Sequence, residues 1–191
     1  DVFKDLTPVT QVASVPFVLV VHPSLPVKSV AELVEYAKKN PDALNYGSSG
    51  NGAPQHLAAE LLSSAAGIKM AQVPYKGAVP AITDLLAGRI QVFVGAINSL
   101  LPHIKDGKLR LLATAGPKRL GTFPDVPTIA ETVPGVVMDV WLGVFMPAGT
   151  PRPFITKAQA DIAKVLQMPD VINNLSTQGI EGVSSSPETL S

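Results

Sequence analysis

The sequence predicts an α/β fold, and three observations support that prediction. Short apolar runs alternate with helical patterns four or five times along the chain, which is typical of a parallel sheet linked by right-handed helical crossovers. The run Phe17–Val21 is apolar throughout rather than alternating, as in a strand covered on both faces. Residues 44–56 read as a strand, a loop of small residues and a helix start, which is the usual unit of such a sheet.

The predicted elements follow one another with clear stop signals. Ser29 and Glu32 form a capping-box pattern for the first long helix, and Asn40 followed by Pro41 ends it. Pro54 suits the first position of a helix that starts at about Gly52 to Pro54. In this part of the chain the remaining patterns predict strands over residues 15–23, 70–74, 90–94 and 109–114, and helices over residues 79–86 and 99–105.

The character of the chain changes between residues 117 and 134, where four prolines make a rigid irregular connector. A domain boundary is predicted there. Beyond it, residues 136–145 are predicted to form a strand that carries the single tryptophan, Trp141. Helices over 152–166 and 169–178 and a short strand over 180–183 follow. Ser186 begins a helix pattern that is cut off after one turn, which suggests a fragment or a frayed carboxyl terminus.

Composition narrows the classes of function. Hydrophobic residues make up 46% of the chain and charged residues 16%, enough for a packed globular core. Fifteen basic residues balance fifteen acidic ones without runs of one sign, so nothing favours nucleic acid or an anionic membrane as a partner. The absence of cysteine excludes disulfides and cysteine-ligated zinc. Apolar runs are far shorter than the ~20 residues that span a bilayer.

The loop within residues 44–56 has the composition of an anion pocket. Gly50 and Gly52 permit positive φ and close approach of a ligand, while Ser48, Ser49 and Asn51 add short side-chain donors beside the free N–H groups of a helix start. A carboxylate or phosphate would be stabilised there. The alternative interpretation is a structural β–α turn that is capped by its own serines.

Two catalytic interpretations of this loop conflict with its spacing. A phosphate-binding P-loop requires lysine and serine or threonine after the last glycine, but Ala53 and Pro54 follow here. A nucleophile elbow requires glycine two residues before and after the serine, and Asn51 occupies the second of those positions around Ser49. The spacing therefore argues against an NTPase and leaves a serine hydrolase as a minor alternative.

Other loops are predicted to meet the same edge of the sheet. Tyr75, Lys76 and Gly77 follow one strand, and residues 95–98 follow the next, so that three small-residue loops converge at the carboxyl ends of the strands. No nucleophile–base pair accompanies them, and the three histidines lack the spacing of a metal site. The pattern favours a binding cleft without metal or cofactor.

An ordered series of motifs resembles the Bug family, the extracytoplasmic solute receptors of tripartite tricarboxylate transporters. The resemblance covers nearly the whole chain. Its motifs are Tyr46-Gly-Ser-Ser-Gly-Asn-Gly52 with His56-Leu57, Val73-Pro-Tyr-Lys-Gly77, Asp84-Leu-Leu-Ala-Gly88, Leu101-Pro-His-Ile-Lys105, Pro124-Asp-Val-Pro-Thr128, Trp141-Leu-Gly143 and Pro147-Ala-Gly-Thr-Pro151.

The resemblance implies a periplasmic-binding-protein-like Venus flytrap, in which two α/β lobes hold an organic carboxylate largely through main-chain groups and water. It also implies delivery of that ligand to membrane subunits of the transporter, in the periplasm. At Gly95 many relatives carry an aspartate. The residues that match the family's second-lobe ligand loop are Ser48, Ser49, Asn51, Gly52 and Ala53, with Tyr75 and Gly95 more loosely placed.

Set against the family pattern, the chain begins after the segment that forms much of the first lobe. The resemblance therefore implies one complete parallel-sheet lobe and one incomplete lobe. Residues 1–22 would be the crossover segment from lobe 1, residues 23–117 lobe 2, residues 118–140 a connector, and residues 141–191 the return strand and helices of the incomplete lobe 1.

The sequence thus predicts a non-enzymatic, periplasmic receptor for a small organic carboxylate such as a dicarboxylate, an amino acid or an aromatic acid. One alternative is a truncated, binding-impaired module of the same fold that forms homodimers, because apolar faces of the incomplete lobe would need a cover. The other alternative is the serine hydrolase.

Overall fold

A computed structural model describes residues 2–190, and its side chains from Lys4 onward. The chain divides into two compact units. Unit 1 combines the residues up to Val15 with those from Val140 onward, and unit 2 comprises Pro16–Asp139. The predicted lobe 2, residues 23–117, lies inside unit 2.

Unit 2 is built on a five-stranded sheet. The strands lie in the order β4-β3-β5-β2-β6. Their bounds are β2 Phe17–Val21, β3 Asn45–Ser48, β4 Ala71–Pro74, β5 Val92–Ala96 and β6 Arg110–Thr114. All five side chains of β2 are buried, as the continuous apolar run predicts, because β2 lies inside the sheet with a neighbour on each side.

The sheet is mixed, which corrects the expectation of a wholly parallel sheet. Strand β3 is parallel to β4 and to β5, whereas β2 is antiparallel to β5 and to β6. Alternation of strands and helices predicts the parallel set β3, β4 and β5. It does not determine the direction of β2, since the neighbours of β2 come from much later in the chain and are not joined to it by a single crossover.

Four helices accompany this sheet, namely α2 Val30–Lys39, α3 Pro54–Ala66, α4 Ala78–Leu86 and α5 Ile97–Lys105. Ser29 caps α2 by accepting from the N–H of Glu32 at 3.2 Å. The Glu32 carboxylate accepts from the N–H of Lys28 at 2.7 Å rather than from that of Ser29. The predicted capping pair is therefore present, with its second bond displaced by one residue.

One hydrophobic core cluster of unit 2 lies between the sheet and helices α4 and α5. Its members are apolar residues of strands β2 and β5 and of the two helices, including Val18, Phe93, Leu85, Ile97 and Leu100. Gly47 on β3 is required by this packing. A Cβ atom there would lie 2.6 Å from Cδ1 of Ile90 and 3.2 Å from Cβ of Ala81, too close for either neighbour.

Two predicted boundaries are displaced. Gly95 and Ala96 belong to β5 and α5 starts directly at Ile97, so the predicted loop over 95–98 does not form. The strand predicted over 136–145 begins only at Trp141, as β7 Trp141–Pro147. Residues 136–140 read Val-Val-Met-Asp-Val and lack the regular alternation of apolar and polar residues. In this segment the N–H of Met138 donates to the carbonyl of Ala115.

The described part of unit 1 combines a three-stranded antiparallel sheet with three α-helices. The strand order is β7-β1-β8, with β1 Leu6–Ser14 between β7 and the two-residue β8 Glu181–Gly182. Helix α1 is Val2–Asp5, and helices α6 and α7 are Arg152–Leu166 and Pro169–Thr177. The predicted helix start at Ser186 is a short 3-10 helix, Pro187–Leu190.

Unit 1 leaves much apolar surface in contact with solvent. Only Ile155 is buried in α6, and α7 buries none of its residues. Exposed apolar side chains of this unit are Leu6, Trp141, Leu142, Phe145, Phe154, Val165, Met168 and Ile172. Eight exposed large apolar side chains in one unit are candidates for burial against another surface.

Within residues 2–190, none of the helices is both long and apolar enough to span a bilayer. The same residues contain no cluster of three histidine, aspartate or glutamate side chains that could hold a metal ion.

Candidate functional site

Three helices of unit 2 begin at one edge of the sheet. Helices α3, α4 and α5 directly follow the parallel strands β3, β4 and β5, whose carboxyl ends share an edge. None of the three helices has a side-chain N-cap hydrogen bond or an acidic residue in its first turn, in contrast to α2. Three helix starts with unoccupied positive ends thus lie along the same edge.

The loop between β3 and α3 is the most elaborate part of this edge. Gly50 and Gly52 adopt φ values of +131° and +75°, conformations that favour glycine. A Cβ atom at Gly50 would lie 4.0 Å from the carbonyl oxygen of Tyr75. The loop therefore passes close to the end of the neighbouring strand, β4.

Several backbone N–H groups in this loop remain available to a ligand. Among the described residues, no acceptor is hydrogen-bonded to the N–H of Ser49, Asn51, Gln55 or His56. Asn51 is exposed, and Ser49, Gln55 and His56 are half-buried. Pro54 adds no donor, so the free N–H groups of the first helical turn are those of Gln55 and His56.

Ala53 occupies the N-cap position of α3, with φ −66° and ψ 155° and without a side-chain cap. The alternative interpretation, a turn capped by its own serines, holds for the turn, where Ser48 accepts from the N–H of Gly50, but neither serine caps helix α3. Both serine hydroxyls have other partners, and the helix start is left to a ligand or to water.

Ser48 supports the loop from inside the protein. Its side chain is fully buried, and its Oγ accepts from Nε2 of Gln72 at 2.8 Å and from the N–H of Gly50 at 3.4 Å. The carbonyl of Ser48 accepts from the N–H of Tyr75 at 2.9 Å. Ser48 therefore holds β3, β4 and the glycine loop together rather than facing the solvent.

Ser49 lies one residue further out. Its hydroxyl donates to Oε1 of Gln55 at 2.8 Å, which ties the entry of the loop to the first turn of α3. Neither serine is hydrogen-bonded to a histidine or a carboxylate within the described part of the chain. The two hydroxyls consequently lack the adjacent base that a serine nucleophile requires.

His56 closes the loop on the helix side. Its Nδ1 accepts from the N–H of Gly52 at 3.2 Å, and its ring stacks on Tyr46 with a centroid separation of 6.4 Å and an interplanar angle of 21°. The Tyr46 hydroxyl donates to Oε1 of Glu60 at 2.6 Å. His56 thus has the structural role that the sequence favours: it links the glycine loop to Tyr46 on β3.

The main chain of Tyr75 lies at this edge of the sheet, whereas its side chain is bonded to Asp84 on α4. The hydroxyl donates to Oδ2 of Asp84 at 2.8 Å, and Arg89 binds the other oxygen of that carboxylate at 2.8 Å. Burial, together with the Asp84 carboxylate, raises the pKa of Tyr75 to about 12. The phenol is therefore a permanent donor to Asp84, and the part of Tyr75 nearest the loop is its main chain.

Gly95 lies at the carboxyl end of β5, next to the end of β3, because Gly47 pairs with Phe93 in the register of these strands. The ring of Phe93 covers it: a Cβ atom at Gly95 would lie 2.2 Å from Cε1 of Phe93. Any side chain at this position would displace a fully buried ring. Gly95 can thus contribute only its backbone and a flat surface to this edge.

The structure brings the seven predicted site residues to one edge but in different roles. Asn51, Gly52 and Ala53 are accessible, Ser48 is internal, and Tyr75 and Gly95 contribute their main chains. Sequence reasoning missed the residues that brace the loop, Gln72 and Gln55. A glutamine inside the apolar segment of residues 70–74 was the available signal for Gln72.

Chemically, this arrangement can bind an anion and has no evident means of catalysing a reaction. Backbone N–H groups at a helix start are favourable partners for a carboxylate or a phosphate. The titratable side chains of α3, His56 and Glu60, are engaged in structural contacts.

Comparison with known proteins identifies the relatives of the chain. The profile of the family described as "Tripartite tricarboxylate transporter family receptor" matches residues 1–190. A UPF0065 protein from the tcbD-tcbE intergenic region of Pseudomonas sp. (strain P51) is 36% identical over 189 residues, 98% of this chain and 56% of that protein. Protein BugT of Bordetella pertussis is 35% identical over 188 residues, 98% of this chain and 58% of that protein.

Solved structures show the same similarity. The R. palustris protein Rpa4515 with adipate superposes with a TM-score of 0.92 at 37% identity, covering 100% of this chain and 64% of that chain. MatC from Rhodopseudomonas palustris with bound malate gives 0.84 at 30% identity, covering 93% and 61%. The periplasmic binding protein BugD gives 0.87 at 31% identity, covering 97% and 63%.

These alignments confirm the predicted α/β fold of periplasmic-binding-protein type. The chain spans little more than half the length of the curated relatives that it matches and under two thirds of the solved structures.

Proposed function

This chain belongs to the tripartite tricarboxylate transporter receptor family, and on that premise we propose that it binds a small organic carboxylate in the periplasm. In this role it would pass the ligand to the membrane subunits of a tripartite transporter. The family consists of receptors and not of enzymes, as the sequence predicts, so the serine hydrolase alternative is withdrawn.

The observation that carries the proposal is the set of uncapped helix starts at one edge of the unit 2 sheet. Helices α3, α4 and α5 present their positive ends there without an acidic residue in any first turn. Such an edge lacks an internal anion, and an external one would take its place.

Within this edge, we assign the carboxylate to the loop between β3 and α3. The N–H groups of Ser49, Asn51, Gln55 and His56 would donate to its oxygens, while the Ser49 hydroxyl keeps its bond to Gln55. Hydrogen bonds to a charged group contribute about 1.5–3 kcal/mol each. Ala53, which has no polar side-chain atom, leaves the helix start open to the ligand.

The ligands named with two relatives support a dicarboxylate as the first class to test. Adipate is named with Rpa4515 and malate with MatC, and both are dicarboxylates. These two acids are therefore the first probes for this chain, with amino acids and aromatic acids as the next classes.

Isothermal titration calorimetry with matched ligands tests the proposal. We expect adipate or malate to bind and the corresponding neutral diamides, which keep the carbon skeleton but lose the charge, to bind at least about tenfold more weakly. A tenfold difference corresponds to about 1.4 kcal/mol, less than one charged hydrogen bond. Equal affinity for a diacid and its diamide, or heat from neither, would count against a carboxylate receptor.

A second function is favoured by the exposed apolar surface of unit 1. Burial of such side chains between two copies would stabilise a homodimer by about 1.5–3 kcal/mol for each fully covered residue. The chain would then be a binding-impaired, dimerising module of the receptor fold. Calorimetry and measurement of the oligomeric state together separate the two functions.

A further inference from the structure

A histidine fixes the conformation of the candidate binding loop. The N–H of Gly52 donates to Nδ1 of His56 at 3.2 Å, and Gly52 has a φ of +75°. An imidazole nitrogen accepts a hydrogen bond only when it carries no proton. The contact therefore requires a neutral ring whose single proton lies on Nε2.

A buried tyrosine packs against this ring. Tyr46, fully buried on β3, stacks against His56 at 6.4 Å. The Tyr46 hydroxyl is itself tied to Glu60, one turn after His56 on α3, at 2.6 Å. The orientation of the His56 ring is thus set by a side chain that cannot rotate freely, and the ring transmits that orientation to Gly52.

Few charged groups compete for this ring. The strands that pack most extensively against α3 are β3 and β5, and of their residues only Tyr46 is titratable. Lys76 lies in the adjacent loop, directly after Tyr75, whose carbonyl oxygen is close to Gly50. Apart from His56 itself, Glu60 is the only titratable residue of α3. The loop over residues 49–53 has no titratable residue. Burial, reinforced by Glu60, raises the pKa of the Tyr46 phenol, which keeps it a donor to Glu60.

We propose that His56 is a positioning residue of the carboxylate site, in which its unprotonated Nδ1 holds the Gly52 peptide and thereby the neighbouring N–H groups in the ligand-binding arrangement. The proposal rests on the function proposed above. Protonation of Nδ1 would set two donors, the ring N–H and the Gly52 N–H, against each other. The Gly52 peptide would then be released and the affinity for the carboxylate would fall.

Two substitutions separate positioning from packing. His56→Asn places an oxygen acceptor at the same distance along the side chain as Nδ1, and that acceptor does not titrate. His56→Ala removes the acceptor. The matched control is His22→Asn, because Nδ1 of His22 accepts from the N–H of Ser24 at 3.2 Å, just after the carboxyl end of β2. Since β2 is antiparallel to β5, that contact lies at the opposite edge of the sheet.

Calorimetry with malate at about pH 8 and about pH 6 spans the range in which imidazoles titrate. We expect the native chain to lose more affinity on acidification than His56→Asn, by at most about fivefold, the factor that corresponds to the complete loss of one neutral hydrogen bond. His56→Ala binds weakly at both pH values, and His22→Asn follows the native chain. Malate itself is protonated to the same extent in both experiments. Dividing the affinity change of the native chain by that of His56→Asn therefore removes this contribution. Identical pH profiles for the native chain and His56→Asn, or tighter native binding on acidification, would overturn the proposal.

A second measurement needs no ligand. In NMR titrations of the free chain, the Gly52 amide resonance should shift with the same midpoint as the His56 ring and stay constant in His56→Asn. If no diacid binds but Gly52 titrates in this way, the proposed function fails while the positioning role stands. If a diacid binds but the Gly52 resonance does not follow the ring, the receptor function stands and the role of His56 is refuted.

Discussion

The Nε2 amide of Gln72 donates to the buried hydroxyl of Ser48 at 2.8 Å, joining β4 to the end of β3 beneath the glycine loop. The same hydroxyl accepts from the N–H of Gly50. A residue on the neighbouring strand thus determines where the candidate binding loop leaves the sheet.

Replacing Gln72 by methionine should loosen this loop. Methionine retains a similar volume but leaves the Ser48 hydroxyl without its main partner, at a cost of about 1–3 kcal/mol in the free energy of unfolding. We expect a lower midpoint of urea unfolding and weaker binding of adipate or malate, measured by calorimetry below the unfolding transition.

Gln91 provides the matched control. Its Oε1 accepts from the N–H of Asn45 at 3.0 Å, at the start of β3 rather than at its end. Gln91→Met should reduce stability comparably and leave ligand affinity unchanged. If both variants weaken binding equally, the effect is one of general stability and Gln72 has no special relation to the loop.

Ala53→Asp should raise stability and lower affinity together. Aspartate at an N-cap accepts from the free N–H groups of the next two or three residues and stabilises a helix by about 0.5–2 kcal/mol relative to alanine. Those N–H groups are the ones assigned to the ligand, and the added charge repels a carboxylate. We expect a higher melting temperature and at least about tenfold weaker binding of malate.

Two variants control for this effect. Ala31→Asp adds the same charge to the first turn of α2, outside the loop, and should not change affinity. Ala53→Ser supplies a neutral cap and should weaken binding less than aspartate does. Unchanged malate binding by Ala53→Asp would remove the start of α3 from the site.

The serines of the loop should show no nucleophilic reactivity. Ser48 is bonded to Gln72 and Gly50, and the Ser49 hydroxyl donates to Gln55, so neither is adjacent to a base. A fluorophosphonate probe should label the chain no faster than the Ser48→Ala/Ser49→Ala double variant, as followed by intact mass spectrometry. Labelling that depends on either serine would contradict the receptor function.

The pH dependence of stability should contain a contribution from Glu131. Arg119, which binds both carboxylate oxygens at 2.9 and 2.6 Å, and the N–H of Thr128 lower the pKa of Glu131 to about 2 from its ordinary value of 4.5. Because the pKa is lowered in the folded state, the ionised carboxylate stabilises the fold above about pH 4.5, and this stabilisation is lost as the pH falls toward 2.

Glu131→Gln should therefore lower the melting temperature near neutral pH, and the difference from the native chain should shrink below about pH 4.5. Glu35→Gln is the control. Glu35 pairs with Lys39, both side chains are mostly exposed, and exposed ion pairs contribute little to the free energy of unfolding. A constant difference across the pH range would show that the Arg119 contact does not act through ionisation.

The exposed apolar residues of unit 1 should cause self-association. Phe154 and Ile172 are 64% and 49% exposed on α6 and α7. In sedimentation equilibrium we expect the apparent mass to rise with concentration toward a dimer, and Phe154→Lys/Ile172→Lys to remain a monomer. Val79→Lys, at a 76% exposed apolar position of unit 2, should behave as the native chain. A folded native monomer at micromolar concentration would refute this prediction.

Local signals in the sequence predict much of the fold. The bounds of α6, the Ser29 cap of α2 and the start of α3 at Pro54 all follow from residues within one or two turns. The direction of β2 does not follow from such signals. It depends on pairing with β5 and β6, which lie far along the chain, and an apolar run is compatible with either direction.

In the candidate site, too, some features follow from local sequence signals and others depend on contacts between distant residues. Glycines and small polar residues predict a loop that can approach an anion, and the structure places them at a helix start. The contacts that fix the loop, from Gln72 to Ser48 and from Gly52 to His56, join side chains and backbone groups in three dimensions. A pattern read along one strand or helix contains no information on those partners.

Unit 1 joins segments that lie on both sides of unit 2 in the sequence, so the pairing of β1 with β7 can form only after unit 2 has been synthesised. Strand β1 pairs with β7, from Leu6 opposite Pro147 to Ser14 opposite Trp141, and all of unit 2 lies between these strands in sequence. The described partners of β1 are β7 and β8, which are synthesised only after unit 2, whereas β2 to β6 can pair as soon as Thr114 emerges. Since domains generally fold as units during translation, the sheet of unit 2 can form before the β1–β7 pairing that closes unit 1.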